Sequence, residues 1–435
     1  MSAIHPAIGK RAYELLPPAE QSFWKSERDR LPGYCDLPDL HLASQWDGSG
    51  REAWYAQYDV MPNGRCVPHG PVDRDWICAA LGGGPPDASK TLYTLRRYMK
   101  KITELIRRNR TAESARFAGT LAHFIQDCSS PGHIVSNVLL NHLFPAGKGR
   151  LFPLHSIIDS WPLESETVKR RPQLLGRTAD ETAFLLNETL LRNAETMIGE
   201  VIPLCQAIQS GRKTAAGRIM GKWNRMSVFL TASAWHTLHA VAGRRIPRAA
   251  ARKFQTLDLT RLPMILENSP KFDRTRYIRA GIPFYDCIYP ESDPCRSRLS
   301  TDRIPFEPAV NISYNREGNA ILPELISNGQ RLTGRGIAAG SYGVASFRVP
   351  GTLYSGFDVL AGVHPDSESD AEVTFGVWCP EASEPLLAAG RTSRRGEALR
   401  FHLRLPEKCR TLSLLSAGGN SGLSVVWLNP ILSAR

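Results

Sequence analysis

The hydrophobic period of this chain changes once along its length, and that change restricts the fold more than any other feature. In the first part, apolar side chains recur three and four positions apart, the spacing of one helix face. Ile4, Ile8, Ala12 and Leu15 set that period over residues 3–16, and Pro17-Pro18 stops it. The same period predicts amphipathic helices over 91–108, 112–128, 180–209 and 215–243. From residue 334 the period becomes two. VASFRV, FDVLAGV, AEVTFGVWC, LRFHLRL and LSLLSA alternate apolar with polar residues between Gly, Ser and Pro turns, the pattern of half-buried antiparallel strands. The fold class expected is therefore multidomain, α then β, with a helical domain over 1–275 and an antiparallel β-sandwich over 334–435. Residues 276–333, marked by Pro283, Pro290, Pro294 and by Cys287 and Cys295, form a linker with lead-in loops. A length of 435 residues accommodates that division.

Charge follows the same division. Residues 1–280 hold 39 Lys and Arg against 26 Asp and Glu, whereas 281–435 hold 15 against 16, so the net charge of +12 belongs to the helical part. Within it, 201–250 carries eight basic residues and no acidic one, either a solvated face or a surface that attracts phosphate on lipid or nucleic acid. No run of eighteen apolar residues occurs, so no transmembrane segment is expected and any membrane contact is peripheral. Nine cysteines leave at least one thiol unpaired; Cys287 with Cys295 is one expected bridge, and Cys35, Cys66 and Cys78 can supply another.

The segment HFIQDCSSPGH at 123–133 carries the chemistry. His123 and Asp127 lie four apart on an expected helix, so both side chains leave one face and reach one ion. Pro131-Gly132 is expected to end that helix, which sends His133 in a new direction. A second pair, His155 and Asp159, follows at the same spacing in LHSIID. Imidazole nitrogen with carboxylate oxygen is a zinc ligand set of hydrolytic sites. His236 and His239 have no acid within a turn and read as packing or surface residues, and His142 lacks an acid at the fourth position. Upstream, 31–90 is rich in Pro, Gly and Asp with little periodicity, a long loop of the kind that carries function. Its Trp46, Trp54, Tyr55, Tyr58 and Trp76 are suited to stacking a base, caging a quaternary ammonium, or anchoring the loop.

The string H-x3-D-x3-P-x-H followed by H-x3-D resembles the zinc-dependent phospholipase C and S1/P1 nuclease superfamily over roughly residues 3–250. The resemblance implies an all-helical domain with two or three zinc ions. By it, Asp39, His69, His123 and Asp127 hold the first ion, with Asp36 and Asp59 as alternatives to Asp39. His133, His155 and Asp159 hold the second, and His5 binds a third that shares Asp127. In that superfamily the third ion is also held by an N-terminal residue, commonly Trp, exposed by signal cleavage. Here MSAI precedes His5, without the basic and apolar regions of a secretory signal. Either the start lies upstream, which makes the chain secreted or envelope-associated, or the third ion is absent or bound otherwise. Clustered divalent ions neutralise the oxygens of a phosphodiester and make a bound water acidic, and Asp36 or Asp39 can take its proton. The expected activity is therefore that of a bacterial zinc phosphodiesterase of the phospholipase C type. A single-strand nuclease is the enzymatic alternative, and a non-catalytic surface-binding protein with a structural metal is the alternative of another class.

The last hundred residues resemble the NPCBM type of carbohydrate-binding module, a galactose-binding-like jelly roll. The likeness rests on the opening G-I-A, the F-x-V at 347–349, the G-x-F-D-V-L-A-G-V segment and the closing V-V-W-L-N-P-I-L at 425–432. It implies a glycan ligand for this domain, although Asn429 stands where an acidic residue is common.

Overall fold

The computed structural model describes residues 4–38, 58–60, 66–68, 90–135, 140, 143–144, 154–163, 170–265, 308–315, 319–341, 343–418 and 423–435. These divide into two compact units, 1–251 and 252–435. Among the described residues the first is helical apart from one short hairpin, and the second is dominated by antiparallel strands.

In the first unit α1 (Ile4–Glu14), α2 (Pro18–Phe23) and α3 (Leu31–Tyr34) precede a hairpin of β1 (Tyr58–Val60) and β2 (Cys66–Pro68). Then come α4 (Lys90–Arg107), α5 (Thr111–Asp127), α6 (Pro131–Ile134), α7 (Leu154–Asp159), α8 (Ala179–Gln209) and α9 (Lys213–Ala242). The five long helices begin and end within two residues of the spans predicted from periodicity. At the start of α8, Thr178 caps the helix by accepting from the Glu181 N–H, and Glu181 turns back to bind Arg177 through backbone and guanidinium.

Helix α5 is the axis of this unit, and every residue from Ser114 to Asp127 is buried. Trp235 of α9 donates its indole N–H to the Ala118 carbonyl at 3.0 Å, and Trp24 donates to Ser114 Oγ at 2.9 Å, so both indoles fill the core with their polar edge satisfied. His239 packs edge-on against Trp24, and burial, with the charge of His236 nearby, pushes it down to about 4, which keeps it neutral. His236 donates to Glu20 Oε1 at 2.7 Å, a long-range partner that sequence spacing does not reveal. Gly119 lies so close to α3 that a Cβ there would stand 2.4 Å from the Tyr34 Cβ. Glycine is what allows α3 to sit on α5.

The second unit contains a four-stranded sheet in the order β10-β15-β12-β13 and a six-stranded sheet whose main path is β14-β11-β16-β9-β4, with β3 also pairing β16. The strands are β3 (Thr256–Asp258), β4 (Ala309–Val310), β5 (Ser313–Tyr314), β6 (Ala320–Ile321), β7 (Glu324–Ser327), β8 (Gln330–Thr333), β9 (Gly336–Gly340), β10 (Gly343–Arg348), β11 (Tyr354–Val363), β12 (Val373–Trp378), β13 (Leu386–Thr392), β14 (Leu399–Arg404), β15 (Thr411–Ala417) and β16 (Ser424–Ala434). Phe375 from one sheet meets Trp427 from the other with ring centroids 5.4 Å apart, and both are buried. Asn429 has φ of 51° beside a register shift between β11 and β16. At this bulge Asn429 takes the left-handed conformation, which asparagine tolerates better than most residues.

Some expectations change here. Pro131 does not terminate α5, which ends at Asp127; it opens α6 as the first helical residue, where its missing N–H costs nothing. Strands β3 to β8 precede residue 334, within stretches that were expected to be helical domain, linker and lead-in loop. All six of these strands have two to four residues, too few for alternation to register. The segment 31–90 contains α3 and the hairpin β1-β2. Cys35 is a free buried thiol, which removes it from the expected bridge. Cys78, Cys287 and Cys295 lie outside the described residues, as does His142.

Candidate metal centre

The C-terminal turn of α5 carries His123, Gln126 and Asp127 into a fully buried position. Burying an ionised carboxylate is costly unless opposite charge and hydrogen bonds compensate it, so the neighbours of Asp127 indicate what the site is for. His123 Nε2 lies 3.2 Å from Asp127 Oδ2. On the other oxygen, Oδ1, His5 Nε2 from α1 lies at 3.4 Å and His133 Nε2 from α6 at 3.5 Å. The His5 and His123 rings are 4.3 Å apart between centroids.

His133 continues the cluster outward. Its Nε2 lies 3.3 Å from Asp159 Oδ1, and His155 Nε2 lies 2.8 Å from Asp159 Oδ2. Two trios result, His5, His123 and Asp127, and His133, His155 and Asp159, each with ligand atoms within 4.8 Å of one another. The first trio is buried. In the second, the His155 side chain is 31% exposed and that of Asp159 17%, so this side opens to solvent.

Three of the four imidazoles bond through Nδ1 to a fixed partner, which directs Nε2 inward. His5 Nδ1 meets Gln126 Oε1 at 2.7 Å, His123 Nδ1 meets the Cys35 carbonyl at 2.9 Å, and His155 Nδ1 meets the Gly132 carbonyl at 3.2 Å. That is the arrangement by which outer partners orient metal-binding histidines. Gly132 has a steric role as well, since a Cβ there would come within 3.1 Å of Ile158 Cγ2 and 3.5 Å of Asp159 Oδ1.

The electrostatics agree with the geometry. Burial raises Asp127, but the imidazoles of His123, His133 and His5 outweigh it and hold the carboxyl far below the ordinary carboxylate range. Asp159 is likewise raised by burial yet held low by His133 and His155. Burial lowers His133, but Asp127 and Asp159 push it up to about 9, and bonding to Asp159 raises His155. In the protein alone, imidazolium protons supply the positive charge that the two carboxylates require.

The donor set fits zinc on two counts. Nitrogen and carboxylate oxygen converge at the right multiplicity, and Asp127 Oδ1 with both His133 nitrogens is buried without a hydrogen-bond partner. A cation between the trios would satisfy Asp127 Oδ1 and His133 Nε2. Six of the eight ligands expected from sequence thus come together. Asp39 and His69 lie outside the described residues, and nothing is described of the Asp59 side chain in β1. Asp36 is buried one residue beyond Cys35, whose carbonyl bonds His123, and it belongs to neither trio. Gln126 and the carbonyls of Cys35 and Gly132 were not anticipated. Only Gln126 left a sign in sequence, a polar residue three positions after His123 on the same helix face.

No protein-family profile and no curated protein sequence matches the chain. Among solved structures, it is similar over its full length to the alpha toxin of Clostridium absonum, with 10% identity, a TM-score of 0.33 and 93% of that chain covered. Over 41% of its length it is similar to a CBM51 module of Clostridium perfringens GH95 solved with methyl-galactose, with 14% identity, a TM-score of 0.27 and 99% of that chain covered. It spans only 13% of a Clostridium perfringens ZmpB structure that joins an M60 catalytic domain to two CBM51 domains, with 29% of this chain covered, 18% identity and a TM-score of 0.24.

Proposed function

We propose that the chain is a zinc-dependent phosphodiester hydrolase of the phospholipase C type, acting on phospholipid headgroups at a centre of two or three ions. In this reading His5, His123 and Asp127 hold zinc in the buried part, with Asp39 and His69 completing the ligands, and His133, His155 and Asp159 hold zinc in the open part. Asp127 would be shared between the two parts, since its Oδ1 faces both His5 and His133 while its Oδ2 faces His123. The observation that carries the reading is its Oδ1, buried between His5 and His133 and lacking a hydrogen-bond donor. What zinc supplies when bound is Lewis acidity toward phosphoryl oxygens and toward water.

The protein's own groups do the rest. Gln126, the Cys35 carbonyl and the Gly132 carbonyl keep three imidazoles from turning. The partial exposure of His155 and Asp159 leaves the approach for a phosphate ester on the second trio. Asp36 or Asp39 accepts the proton of the attacking water. The β-sandwich binds a glycan, and the basic stretch 201–250 faces anionic surfaces, where Lys222 is already paired with Glu200 at 2.6 Å. Secretion or attachment to the bacterial envelope is the location at which such an activity and such a module act together.

Zinc analysis combined with hydrolysis of a chromogenic phosphocholine ester and of single-stranded DNA tests this reading in the wild type and in Asp127→Ala. The expected result is two or three zinc at the histidine cluster and ester hydrolysis, with the zinc of the cluster lost in the variant and hydrolysis lowered by more than ~100-fold, beyond what loss of an outer partner costs. Cleavage of DNA alone would assign the nuclease activity instead. Bound zinc with no hydrolysis of either substrate would leave a structural metal in a binding protein.

A further inference from the structure

Among the described residues, a third group of potential ligands lies in the second unit, unrelated to the histidine cluster. Cys379 follows β12 directly, and Cys409 stands two residues before β15. These strands pair antiparallel with Trp378 opposite Ser413, so both cysteines fall at the same end of the four-stranded sheet. A tight loop returns Glu381 over this end, closed by the Ala382 N–H on the Cys379 carbonyl at 3.1 Å and by the Cys379 N–H on the Pro385 carbonyl at 2.8 Å. The two sulfurs and a carboxylate oxygen of Glu381 lie within 4.8 Å of one another. Both cysteines are free and buried, at 0% and 1% exposure, whereas Glu381 is half-buried and gives the group its solvent side.

We propose that Cys379, Cys409 and Glu381 form a binding site for a thiophilic divalent cation of the zinc class, with a fourth position open to water. The spacing matches. Zinc bonds of about 2.3 Å to sulfur and 2.0–2.2 Å to oxygen place tetrahedral S and O ligands about 3.6 Å apart. Cys379 Sγ and Glu381 Oε2 are 3.5 Å apart. The ligands are also held. Glu381 Oε2 accepts the N–H of Arg410 and of Thr411, each at 3.2 Å, which fixes the carboxylate against the start of β15. Around Cys409 the backbone is close-packed, its carbonyl accepting the Gly351 N–H at 2.9 Å, and a Cβ on Gly351 would stand 2.4 Å from the Pro406 carbonyl. Two thiolates and one carboxylate carry three negative charges, so the occupied site keeps one. A cation taken up here closes the strand ends of β12 and β15 and displaces both thiol protons.

Cobalt(II) is the probe. The full-length chain is stripped of metal, kept under a non-thiol reductant and titrated, with the thiolate-to-cobalt charge-transfer absorption in the near ultraviolet as readout. Among the described residues the histidine cluster has no sulfur ligand, so the part of that absorption lost in Cys409→Ser reports on the cysteine site. We expect one equivalent of thiolate-bound cobalt in the wild type and in Asp127→Asn, its loss in Cys409→Ser, and at least tenfold weaker binding in Glu381→Gln. The glutamine still accepts the Arg410 and Thr411 N–H groups and keeps the loop folded, so this variant decides the matter if Cys409→Ser does not fold. Absence of the band in the wild type, its undiminished persistence in Cys409→Ser, unchanged affinity in Glu381→Gln, or a peptide map showing a Cys379–Cys409 disulfide in the chain as isolated would each overturn the proposal.

Discussion

Asp127 and His133 face each other with opposite ionic states, each displaced from its ordinary value by the other, and pH is therefore the most informative variable at the scale of residues. His133 is raised in the folded state, so its stabilising contribution is complete below its unfolded value of about 6.5 and is lost as pH rises through about 9. Asp127 is lowered, so its contribution is present above about 3.9 and is lost as pH falls. Denaturant titrations in chelator should accordingly show the metal-free chain weakening between about pH 6.5 and 9. Zinc uptake has the opposite dependence. Cation binding must displace the His133 proton, so affinity increases over the same interval and calorimetry in buffers of different ionisation enthalpy should register proton release. Gln126→Ala, which frees His5 Nδ1, is expected to weaken zinc binding by about 10- to 100-fold in competition with a chelator. At this scale the two His-x3-Asp pairs were legible in sequence, because helical spacing alone fixes their common face. The carbonyls of Cys35 and Gly132 were not, since any residue supplies a carbonyl and only the fold decides where it points.

Helices were read closely from sequence because α4, α5, α8 and α9 each sustain one period over four turns or more. The short strands β4 to β6 were not, since two residues define no period, and their pairing depends on partners that are distant in sequence. The role of Gly119 was equally invisible, because helix propensity counts a mid-helix glycine only as a cost. In the fold it sets the distance between α5 and α3, which holds Cys35 and through it His123. Gly119→Ala should therefore cost about 1–3 kcal/mol by overpacking. It should also lower zinc affinity, which thermal unfolding with and without zinc separates from a purely structural loss. A variant that loses stability but binds zinc as tightly as the wild type would show that α3 does not position His123.

At the scale of the whole molecule, the switch from a helical to an alternating period predicted the order of the two architectures, while the position of the division was less legible. Strand β3 lies at 256–258, inside the span assigned to the helical domain, and its three residues gain their place only by pairing with β16. Trp427 is the anchor of the sandwich, and Trp427→Ala should destabilise the second unit by about 3–5 kcal/mol. Ester hydrolysis, which rests on the histidine cluster of the first unit, should stay unchanged in the folded variant. Anomalous diffraction at the zinc edge from a crystal grown with zinc tests the central claim most directly. It should place one peak among His5, His123 and Asp127 and another among His133, His155 and Asp159, with Asp127 between them. A map from zinc-saturated protein with neither trio occupied would contradict the account.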